Sequence, residues 1–121
     1  MPETVAVLGA SPEPERYSHR AVRLLQEKGH RVIPVNPGQS HIDGLPVART
    51  LADIQEPVDT VSLYVSPDRL AQVIPGLIAL KPSRVIFNPG SEDDALAAQL
   101  MAAGIACEAA CTLVLLRTGQ F

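Results

Sequence analysis

Short apolar runs alternate with amphipathic segments along the chain, and this alternation limits the folds that it can adopt. The runs typical of strands cover residues 5–8, 32–35, 58–65, 84–87 and 105–108. The segments typical of helices cover residues 17–28, 68–80 and 92–103. Strands and helices in alternation build a parallel sheet with helices on both faces. The sequence therefore predicts an α/β fold of three layers, with a mainly parallel sheet of about five strands.

The length and charge of the chain restrict its domain count and its partners. Its 121 residues carry a formal net charge of −3, and this length suits one domain, residues 1–121. An acidic chain lacks the basic surface that attracts nucleic acids and acidic membranes, so we expect neither as a partner. The sequence opens without a basic apolar leader and contains no run of roughly 18 apolar residues, which predicts a cytoplasmic protein.

Local signals predict several element boundaries. Ser18 and Ser91 are candidate N-caps, because a serine hydroxyl can accept a hydrogen bond from a free helix N–H. Pro34 cannot donate to a sheet ladder, so its strand is expected near an edge. Residues 39–49 carry turn formers and are expected to be irregular, whereas the apolar residues 112–116 receive no assignment.

The stretch at residues 4–18, TVAVLGASPEPERYS, is the first candidate site. Its apolar strand stops at Gly9, passes through a small-residue and proline loop, and leads into a helix. A helix N-terminus offers unpaired N–H groups and the positive end of a dipole, which suits a phosphate. A dinucleotide fingerprint has three glycines where this loop has one, so an ordinary strand-to-helix turn stays open as the alternative.

Four strand ends break into turn chemistry. They are Gly9-Ala10-Ser11, Asn36-Pro37-Gly38, Ser66-Pro67 and Asn88-Pro89-Gly90. The carboxyl ends of parallel strands share one edge of a sheet, and ligands bind there at the point where the strand order reverses. The four turns therefore predict one rim of backbone amides and small side chains, although each could also be an ordinary turn.

Three larger side chains accompany this rim. Arg16 is the candidate phosphate partner because its guanidinium is a forked donor, and a salt bridge with a loop glutamate is the alternative. Tyr17 and Tyr64 could each flank a nucleotide or simply pack against the protein.

Catalytic and metal-binding patterns do not emerge from the sequence. His19, His30 and His41 are interpreted as surface or packing residues, and no triad follows from their spacing. Cys107 and Cys111 are too few for a zinc site and are interpreted as reduced thiols, with a redox or ligand-facing role for Cys111 as the alternative. We therefore expect no catalytic residue, no metal and no enzymatic activity.

The chain resembles the small stand-alone CoA-binding protein family, which shares its fold with the CoA-binding domain of the succinyl-CoA synthetase alpha subunit. The motifs that carry the resemblance are VAVLGASPEPERYSHRAVRLLQEKGHRVIPVNP, GLPVARTLADIQEPVDTVSLYV, RVIFNPG and CTLVLL. The resemblance spans residues 4–116 and implies a Rossmann-like fold that binds coenzyme A or an acyl-CoA. It implies ligand contacts at Gly9, Ala10, Ser11, Arg16, Tyr17 and Ser18 for phosphates, at Val35, Asn36 and Pro37 beside the nucleotide, at Tyr64, Val65, Ser66 and Pro67 as a further wall, and at Asn88, Pro89 and Gly90.

Departures from the family pattern refine this expectation. Gly38 and Gln39 stand where relatives often have a lysine or arginine, which weakens the expected contact with the 3′-phosphate. The synthetase's catalytic histidine lies in a further domain that this sequence lacks, so the resemblance implies binding without catalysis. Two alternatives stay open. One is an NAD(P)-dependent enzyme, although Asn36 stands where such an enzyme is expected to have an acidic residue for the ribose. The other is a protein-interaction module, for example a homodimer with a vestigial pocket.

Overall fold

The main sheet has five parallel strands. A computed structural model describes residues 2–121 of the chain. Seven strands are present: β1 (Thr4–Leu8), β2 (Arg31–Val35), β3 (His41–Ile42), β4 (Leu45–Pro46), β5 (Thr60–Leu63), β6 (Arg84–Phe87) and β7 (Ala106–Ala109). The main sheet has the order β2-β1-β5-β6-β7, and all of its neighbouring pairs are parallel. The α/β fold and the five-stranded sheet predicted from the sequence are therefore confirmed.

Helices cover both faces of this sheet. They are α1 (Tyr17–Glu27), α2 (Pro67–Leu80), α3 (Asp94–Ala102) and α4 (Thr112–Arg117), with a short 3₁₀ helix at Leu51–Asp53. Helices α1 and α4 pack together on one face, and α2 packs with α3 and the 3₁₀ helix on the other. The resulting three layers form a Rossmann-like fold.

Strand β1 supplies apolar side chains to both layers, as a strand of a doubly covered sheet does. In β1, Val5 and Val7 pack into the core beneath α1 and α4, whereas Ala6 and Leu8 pack into the larger core beneath α2 and α3. All four side chains are buried. The continuous apolar run of β1 therefore reflects its position between two other strands in a sheet with two covered faces.

Strand β2, which contains Pro34, lies at one edge of the main sheet. The Pro34 carbonyl accepts a hydrogen bond from the Ala48 N–H at 3.0 Å on the side away from β1, and the Asn36 N–H donates to the Ala48 carbonyl at 3.0 Å. The prediction of an edge strand is confirmed. The irregular reading of residues 39–49 is wrong in part, because β3 and β4 pair as a small antiparallel hairpin around Asp43 and Gly44, which both have positive φ.

Two predicted caps are wrong, and the unassigned tail is a helix. The N-cap of α1 is Arg16, and Ser18 lies inside the helix, where its hydroxyl accepts a hydrogen bond from the Ser11 N–H. The N-cap of α3 is Asp93, whose carboxylate accepts from the Leu96 N–H at 2.9 Å, and the Ser91 hydroxyl instead donates to the Val65 carbonyl. Residues 112–117 form α4.

No helix within residues 2–121 has the length and apolar character that crossing a membrane requires.

Candidate functional site

The strand order reverses between β1 and β5. The chain leaves β1 for β2 on one side and then crosses to β5 on the other. Gly9 follows β1 with φ +87°, and a Cβ atom there would lie 2.6 Å from the Tyr64 carbonyl oxygen and 2.9 Å from Val65 Cγ1. A side chain at this position would therefore collide with the chain that follows β5. Glycine is required because the two strand ends meet at the reversal point.

The loop after β1 is tied to the end of β2. The Val35 carbonyl accepts hydrogen bonds from the N–H groups of Gly9 at 3.1 Å and Ala10 at 3.3 Å. The Asn36 amide donates to the Ala10 carbonyl at 2.7 Å, and its oxygen accepts from the Gly38 N–H at 2.7 Å. These bonds occupy the amides of Gly9 and Ala10. Both residues therefore shape the rim and have no N–H group left for a ligand.

Ser11 is held by the first turn of α1. Its N–H donates to the Ser18 hydroxyl at 3.1 Å, and its carbonyl lies 2.9 Å from Nδ1 of His19. Its own hydroxyl accepts from the Glu13 N–H at 3.1 Å. The hydroxyl proton of Ser11 stays available as a donor at the rim.

The N-terminus of α1 carries free donors. Within residues 2–121, the N–H groups of Tyr17, Ser18 and His19 have no hydrogen-bond partner, and the first bonded amide of this turn is Arg20, which donates to the Arg16 carbonyl. The first turn also lacks an acidic residue. Three free amides at the positive end of a helix dipole have the chemistry that suits an anion.

Exposed side chains around this helix end include two cationic ones, Arg16 and Arg20. The Nε atom of Arg16 lies 2.9 Å from a carboxylate oxygen of Glu13, with 68% of the arginine and 55% of the glutamate side chain exposed. Tyr17 is 67% exposed, and the guanidinium of Arg20 lies 5.4 Å from the centre of its ring. The alternative salt bridge of Arg16 is therefore present. Because both partners are exposed, an incoming anion can compete with it.

A buried polar network lies beneath the ends of β5 and β6. The Asn88 amide donates to the Ser62 hydroxyl at 2.9 Å and to the Leu63 carbonyl at 2.8 Å, and its oxygen accepts from the Thr112 N–H at 2.8 Å. The hydroxyls of Ser62 and Thr112 are 2.8 Å apart. Since these bonds engage both polar atoms of the Asn88 side chain and it is fully buried, it supports the rim from below.

Tyr64 turns its hydroxyl inward. Its N–H donates to the Leu8 carbonyl at 2.9 Å, and its side chain packs against the core beneath α1 and α4. The hydroxyl is buried and has no hydrogen-bond partner within residues 2–121. Burial raises the pKa of Tyr64 to about 12, and the nearby hydroxyls of Thr112 and Ser62 offset only part of that rise. Most of the Tyr64 side chain therefore packs inside the protein, and only part of it lies at the rim.

The remaining predicted residues line the outer rim. Ser66 is the N-cap residue of α2, and Pro67 is the first residue of that helix. Proline suits this position because it has no N–H group that would need an acceptor. Val65 is half-buried, and its carbonyl accepts from Ser91 at 2.6 Å. Pro37, Pro89 and Gly90 are exposed, and the Gly90 N–H donates to the Glu92 carboxylate at 2.6 Å.

A family model described as "CoA binding domain" matches residues 3–117. The chain belongs to this CoA-binding domain family. The resemblance drawn from the sequence motifs is thereby confirmed.

Individual relatives agree with that membership. YneT of Bacillus subtilis (strain 168) is 33% identical over 73 residues, which cover 60% of this chain and 51% of YneT. The chain thus matches about half the length of this curated relative. The cell-free protein ID.343 from Thermus thermophilus has a TM-score of 0.91 at 34% identity, with 99% of this chain and 91% of that chain covered.

A larger enzyme shares the fold. Acetyl-coenzyme A synthetase 1 from Ca. Korarchaeum cryptofilum, solved with phosphate and ADP, has a TM-score of 0.77 at 22% identity. The match covers 88% of this chain and 25% of that one. At this identity the likeness shows the fold alone.

Two clefts of the structure lie away from the rim of this CoA-binding domain. One of about 360 Å³ lies at the opposite edge of the sheet, between Glu3, Asp59 and Arg84. The other, of about 330 Å³, lies between the outer side of β2 and residues 45–48 and 53–56. Neither touches the free amides of α1. The candidate site is therefore defined by its donors and by the reversal point.

Two contacts of the candidate site were not predicted from the sequence. Ser18 was predicted as a cap and as a phosphate contact, and His19 as a surface or packing residue. In the structure His19 is buried, and both residues bond to Ser11, seven and eight residues earlier. No local motif encodes these contacts, because they depend on how α1 folds back on the loop. The half-buried thiols of Cys107 and Cys111 are both free, and burial raises the pKa of Cys107.

Proposed function

We propose that this chain binds coenzyme A or an acyl-CoA at the carboxyl rim of its sheet and catalyses no reaction by itself. The observation that carries the proposal is the group of three unpartnered amides at the start of α1, at the reversal point of a CoA-binding domain. Such amides suit a diphosphate, because they donate several hydrogen bonds to one anion in the field of the helix dipole.

The cationic side chain of the site is Arg16. In the unliganded protein its guanidinium pairs with Glu13, so binding exchanges one carboxylate for a phosphate oxygen. A guanidinium binds phosphate through two parallel hydrogen bonds, which favours the exchange. The Ser11 hydroxyl and the three amides supply the remaining donors.

The other rim residues suit the organic parts of the ligand. Both polar atoms of the Asn36 side chain form hydrogen bonds, to Ala10 and to Gly38. Asn36 therefore lies beside the nucleotide without a hydrogen bond to it, next to the exposed ring of Pro37. Val65, Ser66 and Pro67 offer a largely uncharged wall for the pantetheine arm. Gly38 and Gln39 place no positive charge beside the 3′-phosphate, so we expect weak discrimination between coenzyme A and dephospho-coenzyme A.

A non-catalytic role is supported by the side chains at the rim. The Tyr64 hydroxyl is buried and protonated at neutral pH, and the Asn88 amide is fully engaged below the surface. Two carboxylates, Glu13 and Glu15, lie in the loop beside the proposed diphosphate, and Glu13 is paired with Arg16. This set suits recognition and leaves few groups for proton transfer.

Isothermal titration of the purified chain with coenzyme A, dephospho-coenzyme A and NAD tests the proposal. We expect coenzyme A and its dephospho form to bind with affinities within about fivefold of each other, and NAD to bind much more weakly. Arg16→Ala should weaken coenzyme A binding by about tenfold, the equivalent of one charged hydrogen bond. Arg23→Ala is the matched control, because Arg23 is exposed further along the same helix.

Other outcomes would redirect the assignment. Tighter binding of NAD than of coenzyme A would favour the nicotinamide enzyme. Flat titrations with every nucleotide, together with a stable dimer in sedimentation, would favour the interaction module. Equal losses in the two arginine variants would refute the assignment of Arg16 to the phosphate, because general charge would then explain the effect.

A further inference from the structure

We infer that His19 is a positioning residue for the anion site, an inference that rests on the proposed function. Its side chain is 5% exposed, and Nδ1 lies 2.9 Å from the Ser11 carbonyl oxygen. A carbonyl oxygen only accepts, so Nδ1 carries the proton in this contact. A buried imidazole with a single polar contact thus acts on one peptide group of the loop.

That peptide group is unusual, because it joins Ser11 to Pro12. Proline has no N–H, so the group presents a carbonyl acceptor and no donor. Pointed at the rim, this oxygen would set a negative partial charge beside a bound phosphate. His19 holds the oxygen toward the first turn of α1 and removes it from the ligand's path.

Ser18 completes the arrangement. Its hydroxyl accepts the Ser11 N–H at 3.1 Å, so consecutive residues of α1 fix both backbone groups of Ser11. The hydroxyl of Ser11, which accepts from Glu13, is held with its proton free. The amides of residues 17–19 therefore meet a ligand without a competing backbone acceptor from this peptide.

Three substitutions test the inference through the position of one nitrogen. In His19→Asn the amide nitrogen is bonded to Cγ, as Nδ1 is in histidine, and can still donate to Ser11. In His19→Gln the nitrogen lies one bond further out, and His19→Leu has no donor. We expect coenzyme A binding to weaken about fivefold to tenfold in the Leu and Gln variants and to stay within about twofold of wild type in the Asn variant.

Ligand fragments separate positioning from general damage. Coenzyme A and ADP both carry the diphosphate, so the Leu and Gln variants should lose affinity for both. The factor by which each variant's affinity falls relative to wild type should be the same for the two ligands. Thermal unfolding without ligand provides the stability of each variant, and affinities that simply follow stability would overturn the inference. Should His19→Leu not fold, the Asn and Gln pair decides.

Further outcomes are equally decisive. Wild-type affinity in all three variants would overturn the role of His19 while leaving the proposed function intact. A loss in His19→Asn as large as in His19→Leu would overturn it too, because the restored donor would then have no effect. Absence of coenzyme A binding by the wild-type chain would overturn the proposed function and this inference together.

Discussion

Gly9→Ala tests the close approach of β1 and β5 at the reversal point. The new Cβ atom would lie 2.6 Å from the Tyr64 carbonyl oxygen, and the residue would keep φ +87°. A positive φ costs an alanine about 1–2 kcal/mol, and forcing a methyl group into a packed site costs about 1–3 kcal/mol more. We therefore expect the free energy of unfolding to fall by roughly 2–5 kcal/mol.

The chain contains a matched control for this prediction. Gly29 has the same φ of +87°, but a Cβ atom there would meet nothing within 4 Å. Gly29→Ala should therefore cost only the backbone strain, about 1–2 kcal/mol. Urea denaturation gives both free energies, and their difference isolates the collision with Tyr64. Equal costs in the two variants would refute the reasoning, since the contact at the strand ends would then carry no energy.

Three further changes probe the network, the ion pair and the tyrosine. Asn88→Ala should lower the free energy of unfolding by about 2–4 kcal/mol in urea denaturation, because its buried partners lose their hydrogen bonds. Glu13→Gln should raise coenzyme A affinity about twofold to fivefold in titrations at low salt, and less at high salt, because Arg16 loses an exposed competing partner. Since the pKa of Tyr64 is raised from 10.0 to about 12, the unfolded state releases the phenol proton first, so its contribution to stability is complete below pH 10 and is lost towards pH 12. Tyr64→Phe should remove this part of the loss, as urea denaturation at several pH values will measure.

The fold was predictable because its signals are local. The apolar runs, the turn residues after each strand and the proline of β2 all act within a few residues of their own positions, and each predicted the right element or the right edge. The hairpin at residues 39–49 was missed although Asp43-Gly44 is a typical two-residue turn. Its two strands have only two residues each, which is too short for a period to show.

The site was predictable only in outline. The sequence placed the strand ends on one rim, but hydrogen bonds across the fold decide which groups on that rim stay free. The Gly9 and Ala10 amides are used by Val35, and the Ser11 amide is used by Ser18. The sequence pattern around Asn88 predicts a turn residue, yet the hydrogen-bond partners of its side chain lie 24 to 26 residues away in the chain.

The Asn88 network also imposes an order on the assembly of the molecule. The side chain of Asn88 joins β6 to Ser62 on β5 and to Thr112 at the start of α4. On a ribosome the chain emerges from its N-terminus, so the residues of β5 and β6 emerge before those of α4. Until that segment docks, the oxygen of Asn88 lacks the Thr112 N–H as its donor, and the hydroxyl of Ser62 keeps its bond to the Asn88 amide but lacks its bond to the Thr112 hydroxyl. When α4 packs against the sheet, it excludes water from the Asn88 network. We expect this packing to be the last cooperative step of folding during synthesis.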